Sequence, residues 1–364
     1  MPKTESLSRP AFAEIHLDRL TSNLRYLQGK TTHPFFCPML KANAYGHGDQ
    51  QIANLLQKEN INTVGVSTID EAIHLRHGGF NKDILVFSPS FQSCLSEVIN
   101  FNLTPVLSEA SHIEAFKKNK STINIHIKLN TGMNRMGLDE DTVEDTLSSC
   151  QKYGLQVIGT LTHLHSSSDI SNVDGFSHKQ IRKYEELHQK YFSDSIIKHV
   201  YNSDGLLNAG KATYGARPGI ALYGYSDPYN ENLLPVMELK AKLVSVRRVS
   251  KNEVVSYGGT WRAEKDTTIG VLPLGYADGV SRNLSNNIHF RYEGKQLPQI
   301  GNICMDYTMV DLESVKDKIK VGSVVSLFGK DAGYTAADVA KKIHTIPYEV
   351  LTSVSERIPR FFID

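Results

Sequence analysis

From Phe35 to Ile220, apolar residues recur in short, β-rich runs separated by stretches with helical spacing. The runs are Phe35–Leu40, Thr63–Ser67, Asp83–Phe87, Thr104–Leu107, Ile123–Leu129, Val157–Leu164, Ile197–Tyr201 and Tyr214–Ile220. Between them, Asp49–Leu56, Ile69–His77, Glu109–Lys118, Thr142–Lys152 and Phe176–Phe192 space their apolar residues as one helix face does. Ahead of the series, Ala11–Leu17 alternates like a strand, and Asp18 is placed to cap a helix that carries Leu20, Leu24 and Leu27 on one side. Eight strands alternating with helices predict parallel pairing and closure into a (β/α)8 barrel of the TIM type. A doubly wound open sheet is the competing arrangement. No Gly-x-Gly-x-x-Gly follows the first strand, which weakens its dinucleotide-binding form.

Past Tyr223-Gly224 the period breaks. Pro228 and Pro235 bracket a polar loop, after which Met237–Val246, Ile269–Leu274, Asn302–Asp311 and Ser323–Phe328 read as strands. Gly258-Gly259, Asp278-Gly279 and Glu293-Gly294 supply the turns, and one short helix is expected over Ala336–Ile343. The expectation is a barrel over residues 1–232 and a mainly β-strand domain over 233–364, with the N-terminal strand a candidate to join the second.

Charge narrows the function classes. In 364 residues, 40 Lys and Arg face 39 Asp and Glu, so there is no basic footprint for nucleic acid and no acidic tail. Met1–Pro10 is polar without an apolar signal core, and no later stretch approaches a membrane span. The four cysteines, Cys37, Cys94, Cys150 and Cys304, form no CxxC pair and no metal-ligand spacing. A cytoplasmic protein with reduced thiols, no structural metal and no membrane or nucleic-acid partner is expected.

In a barrel, chemistry sits where the strands end. Here the ends carry Lys41 after the first run, Lys128 and Arg135 around the fifth, and His163 after the sixth. Asn202-Ser203 follows the seventh run and Arg217-Pro218-Gly219 the eighth. Lys41 is the most suggestive, because desolvating an amine lowers its pKa and makes it nucleophilic. A strand-end lysine that merely reaches back to solvent is the plain alternative.

Lys41, Arg217 and the Gly-Tyr-Ala-Asp-Gly turn at 275–279, taken together, closely resemble the alanine racemase family of pyridoxal-phosphate enzymes (fold type III). The resemblance extends through Arg9-Pro10, Lys41–Gly48, Thr68–Gly78, Lys128–Gly137, Thr162–Leu164, His199–Ser203, Arg217–Gly224, Leu274–Gly279, Gly301–Asp306 and Tyr348–Val350. It implies that Lys41 is the Schiff-base lysine of pyridoxal 5′-phosphate. It assigns the cofactor phosphate to the Tyr45 and Tyr348 hydroxyls, Ser203 and the backbone amides of Gly219 and Ile220. By the same resemblance Arg217 faces the pyridine nitrogen and is oriented by His199, with Asn202 nearby. Tyr276 becomes the second base opposite Lys41, contributed by the partner subunit, and His163 interacts with it beside the cofactor. The substrate carboxylate falls to Arg135 and to the backbone amide of Met305, the latter again from the partner. Lys128 matches a lysine that many members carry as N6-carboxylysine, which would brace Arg135. Asn130 departs from the family's usual aspartate and leaves that neighbourhood more positive.

The activity implied is interconversion of L- and D-alanine in a homodimer with shared active sites, supplying D-alanine for peptidoglycan. A broader or serine-directed racemase has the same residues, since pockets discriminate weakly over one hydroxyl or methylene. A non-catalytic pyridoxal-phosphate carrier is the reading from another class, and the β domain and Tyr276 argue against it. A fold-type III decarboxylase is disfavoured by Arg217, where such enzymes use an acidic residue.

Overall fold

The computed structural model describes residues 10–88, 94–119, 121–167, 169–170, 172–210, 212–330 and 332–364. Arg9, part of the resemblance, lies outside them. The chain forms two compact units, Thr21–Leu233 and a second built from residues up to Leu20 together with Leu234–Asp364.

The second unit receives the first strand of the chain, β1 (Ala11–His16), which leads into the helix Leu17–Gln28. Asp18, expected as the cap, is instead the second residue of that helix, where its charge still faces the positive end of the helix dipole.

The unit Thr21–Leu233 is a barrel of parallel strands. β2 (Thr63–Val66), β3 (Asp83–Val86), β4 (Thr104–Leu107), β5 (Ile123–Lys128), β6 (Leu155–Leu161), β7 (Ile197–Tyr201) and β8 (Gly215–Ala216) pair in sequence order. The apolar run Phe35–Leu40 closes the ring without being a continuous strand. Phe36 bridges Ala216 of β8 and Met39 bridges Gly65 of β2, both in parallel. The reason is Pro38, which has no N–H to give: its carbonyl accepts from Gly65, while Cys37 N–H goes to Ala216 and Leu40 N–H to Gly65. The eight-stranded (β/α)8 architecture therefore holds, with one strand present only as bridges. The eighth run is short for a related reason, since Pro218 and a tight turn at Ile220–Tyr223 follow it at once. Cys37, Leu85, Val106 and Leu161 pack inside with Phe35 and Phe87. Two short helices, Leu95–Asn100 and Ser203–Asn208, are additional to those read from spacing.

The second unit is mainly β. β9 (Met237–Lys242) joins β1 in a six-stranded sheet, and β10 (Ser245–Val249) lies in a three-stranded one. The run Met237–Val246 thus breaks where the chain passes from one sheet to the other. β11 (Val254–Val255) and β12 (Trp261–Arg262) pair with each other, and β13 (Thr267–Leu272) runs beside β10. β14 (His289–Tyr292) and β15 (Lys295–Pro298) form a hairpin, and its two-residue turn has positive φ at Glu293 (45°) and Gly294 (78°), as a type I′ turn requires. β16 (Thr308–Asp311) pairs with β13; residues 302–307, expected as strand, fold back instead through a Cys304 N–H bond to the Tyr307 carbonyl. β17 (Val324–Phe328) and β18 (Arg360–Ile363) complete the larger sheet, where β1 runs parallel to β18 and antiparallel to β9. The α-helices Ala336–Lys342 and Pro347–Ser353 follow β17, and the second starts with proline at its first turn. Among the described residues no helix is long and apolar enough to cross a membrane.

Candidate active site

Lys41 begins an unusual turn. Ala42, Asn43 and Ala44 have φ of 53°, 54° and 52° with ψ near the same values, and Tyr45 follows at φ 54°. This is a left-handed helical turn made of four non-glycine residues, a conformation that costs L-residues roughly 1–2 kcal/mol each. Backbone bonds from Ala44 to Leu40 (2.8 Å) and Gly46 to Ala42 (2.9 Å) close it. The carboxylate of Glu71 holds its start, accepting from Ala42 N–H at 2.6 Å and from Ser67 N–H at 2.7 Å. Lys41 is open to solvent at this end of the barrel, yet partial desolvation and the charge of Arg135 lower its amine below the ordinary lysine value, against a contrary pull from Glu71.

A polar chain runs inside the barrel through Arg217, His199 and His126, the last of them not expected from the sequence. Arg217 is buried, and its guanidinium donates to the carbonyls of His199 (2.7 Å), Thr162 (2.6 Å) and Val200 (3.2 Å) and to His199 Nδ1 (2.9 Å). Arginine can only donate, so His199 Nδ1 is unprotonated and its proton sits on Nε2. That N–H meets His126 Nδ1 at 2.7 Å, which fixes His126 as the Nε2–H tautomer. Burial, then the charge of Arg217, pushes His126 down to about 3 and His199 well below its ordinary value. Burial brings Arg217 down to about 10, still a cation at neutral pH. The result is a positive group held rigidly from behind by two neutral histidines.

The loops after β7 and β8 form a cradle of donors. Asn202 caps the helix Ser203–Asn208 by accepting from Gly205 N–H (2.9 Å) and also accepts from the Ser167 hydroxyl (2.8 Å). The Ser203 hydroxyl accepts from the amides of Gly219 (2.9 Å) and Ala221 (3.2 Å). Gly219 is sterically required, because a Cβ there would fall on the Tyr45 hydroxyl. Tyr45, Ser203, Gly219 and Ile220 are thereby gathered at one end of the barrel, and all four are buried.

Lys128 ends β5, and Arg135 lies on the following loop, exposed. Burial, with the charges of Arg135 and Arg217 next, brings the Lys128 amine down to about 8. His163, half-buried after β6, is pushed to about 3 by burial and then by Arg217, Lys128, Arg135 and Lys41. Asn130, the departure from the family's aspartate, organises the loop: its amide donates to Asp139 (2.8 Å) and Asn134 (3.1 Å), and its oxygen accepts from the Gly132 and Asn134 amides.

The β unit carries the remaining three residues. Tyr276 is 43% exposed and Met305 53%, and the two turns touch through Tyr276 N–H to the Cys304 carbonyl (3.1 Å) and Ala277 N–H to the Met305 carbonyl (3.0 Å). Tyr348 is half-buried on the helix Pro347–Ser353.

Residues 15–227 match the alanine racemase N-terminal domain, and residues 236–362 match the C-terminal domain of the same family. The chain belongs to the alanine racemase family. An alanine racemase of Thermodesulfovibrio yellowstonii is 34% identical over 98% of the chain and 99% of the relative. The alanine racemase structure of Clostridium difficile 630 superposes with a TM-score of 0.89 at 30% identity, covering 98% of this chain and 97% of that one. An alanine racemase of Bartonella henselae, solved with covalently bound pyridoxal phosphate, has a TM-score of 0.86 at 28% identity over 97% of this chain and 99% of that one.

Within this alanine racemase fold, the sequence pointed to the residues at the strand ends and to His199 beside Arg217, whereas His126 and Glu71 were missed. His126 gives little signal in Ile-Asn-Ile-His-Ile-Lys, where it reads as an ordinary inward strand position. Glu71 could have been found, since Thr68-x-x-Glu71 is a capping-box signature and both of its hydrogen bonds are present.

Proposed function

We propose that this chain racemises alanine between its L and D forms with pyridoxal 5′-phosphate, using Lys41 and Tyr276 as the two bases. The observation that carries the reading is Arg217, a buried cation fixed by His199 and three carbonyls behind a lysine whose amine is shifted toward neutrality. The residues suit this cofactor in three ways: an amine for its aldehyde, an arginine for its ring nitrogen, and the glycine-lined cradle of Ser203, Gly219 and Tyr45 for its phosphate. When bound, pyridoxal phosphate supplies the electron sink that acidifies the Cα–H of the amino acid it carries.

The chain's own groups then divide the work. Arg217 can donate and never accept, so it would hold the cofactor's ring nitrogen as an unprotonated acceptor and would thereby suppress side reactions that need a stronger electron sink. Lys41 Nζ takes the Cα proton of D-alanine, and Tyr276 Oη takes that of L-alanine from the opposite face. Asn202 holds the loop that carries Ser203, Tyr348 adds a phosphate contact, and His163, neutral at working pH, accompanies Tyr276 beside the cofactor. Arg135 and the Met305 amide bind the substrate carboxylate. A carbamate on Lys128 would turn a cation into an anion that braces Arg135, and an amine titrating at about 8 has the neutral fraction that carbamylation needs. In this reading Tyr276 and Met305 serve the barrel of a second copy, making a homodimer with shared sites. Four cysteines, all free thiols, accord with a cytoplasmic setting.

The test is proton NMR of L-alanine in D2O with cofactor-loaded protein, chiral analysis of the product, and Lys41→Ala alongside. Deuterium at Cα with accumulating D-alanine is expected and is lost in the variant. An intact Cα–H signal would refute alanine as substrate, and exchange of serine in its place would redirect the reading to that amino acid.

A further inference from the structure

A buried carboxylate sits beneath the turn that carries Tyr276. Asp278 is fully buried, and its Oδ2 accepts the N–H of Gly275 at 2.9 Å, tying the two ends of the Gly275–Gly279 turn together. A carboxylate so placed is costly unless a cation compensates it. Arg357 does so, with Nε 3.5 Å from Asp278 Oδ1. The same guanidinium reaches the neighbouring turn through Nη2, 2.7 Å from Asp306 Oδ1, directly after Met305. The two turns already press backbone on backbone, for a Cβ at Gly275 would fall on the carbonyls of Cys304 and Met305. Ser355 N–H adds a bond to the Asp278 carbonyl (3.3 Å), so the segment bearing Arg357 is itself anchored to the turn.

We propose that Arg357, bridging Asp278 and Asp306, is a positioning residue that locks the Tyr276 and Met305 turns into one rigid piece, fixing the tyrosine hydroxyl relative to the amide that receives the substrate carboxylate. This rests on the reading of Tyr276 as the base for L-alanine. The clamp acts by geometry, through the two turns it joins. Arginine suits the role because its planar fork offers separate N–H groups to two carboxylates, whereas a lysine can hold either one but presents no fork.

The consequence is a directional defect. A base displaced by about 1 Å loses up to roughly a hundredfold in rate, a loss confined to the proton transfer that uses Tyr276. A shifted Met305 amide, by contrast, weakens carboxylate binding of both enantiomers alike and only mildly. Solvent exchange of the Cα proton, measured on recovered starting enantiomer in D2O, reads the two bases separately. Arg357→Ala, Arg357→Lys and Tyr276→Phe holoenzymes would be compared with the parent, together with their thermal midpoints. Arg357 is 44% exposed, so its loss leaves no cavity in the core. Arg357→Ala is expected to slow exchange of L-alanine about ten- to hundredfold while D-alanine exchange stays within a few-fold, and Arg357→Lys should recover part of the loss. Equal losses for both enantiomers with a lowered midpoint, or no loss at all, would overturn the clamp while leaving Tyr276 as base if Tyr276→Phe remains directional. Equal, mild losses in Tyr276→Phe itself would overturn both the base assignment and the clamp built on it.

Discussion

Gly159 on β6 is the place to test whether the histidine chain positions Arg217. A Cβ built there would lie 2.8 Å from His126 Cγ and closer still to Nδ1 and Cε1, the side of the ring that accepts from His199. In Gly159→Ala the imidazole must move, and it has nowhere to go without breaking that bond. Overpacking of this kind costs about 1–3 kcal/mol, and the stranded His199 N–H adds about 1–3 kcal/mol. For a unit of this size the unfolding midpoint should drop by roughly 5–15 °C. The assay is a double-mutant cycle by denaturant unfolding of the holoenzyme, with His126→Ala as the second change. Removing the ring makes room for the new methyl, so Gly159→Ala in the His126→Ala background should cost less than about 1 kcal/mol. A third protein, His126→Asn, retains an acceptor and should keep more of the racemase rate than His126→Ala. An equal cost of Gly159→Ala in both backgrounds would refute the coupling, as would a single variant within about 0.5 kcal/mol of the parent.

Two further outcomes follow from the charges. Burial pushes His126 and His163 down to about 3 in the folded protein, against the 6.5 of an ordinary histidine, so below about pH 6.5 the unfolded chain binds protons that the folded chain refuses. Stability is therefore full above that pH and falls as pH drops from about 6.5 toward 3, by about 2 kcal/mol per histidine at pH 5; a denaturation series from pH 7.5 to 5 that showed no loss would contradict the neutral assignment. Separately, protein equilibrated with 13C-bicarbonate at pH 8 should give a carbamate carbon signal that vanishes on acidification and is missing in Lys128→Ala. A signal persisting in that variant would place the modification elsewhere.

Why some of this was legible in sequence and some was not has physical causes. The period of apolar runs was visible because each barrel strand buries both faces. The exceptions were short or proline-interrupted stretches: Pro38 leaves Phe35–Leu40 as bridges, and the run around Tyr214–Ile220 pairs only at Gly215–Ala216. Met237–Val246 looked like one strand because alternation does not reveal a change of sheet between Lys242 and Ser245. The helices Ser203–Asn208 and Pro347–Ser353 are too short to show a helical period. Residues that end strands were found because a charged or small residue after an apolar run is conspicuous. His126 and Arg357, which support them from behind, were missed for the opposite reason. His126 sits in mid-strand, and Arg357 lies far along the chain from both carboxylates it joins.

The turn from Ala42 to Tyr45 has a stereochemical consequence. Its four residues occupy the mirror image of the ordinary helical conformation, the region a D-residue would adopt at rest. A chain of L-residues stays there only while Glu71 and the closing backbone bonds hold it, and Ala-Asn-Ala-Tyr avoids any branching at Cβ that would raise the strain further. Rebuilt by chemical ligation with D-alanine at positions 42 and 44, the segment would need less of that restraint, since only Asn43 and Tyr45 would remain L-residues at positive φ. Lys41, proposed above as the base for D-alanine, thus stands at the head of a segment whose backbone is itself of the opposite hand.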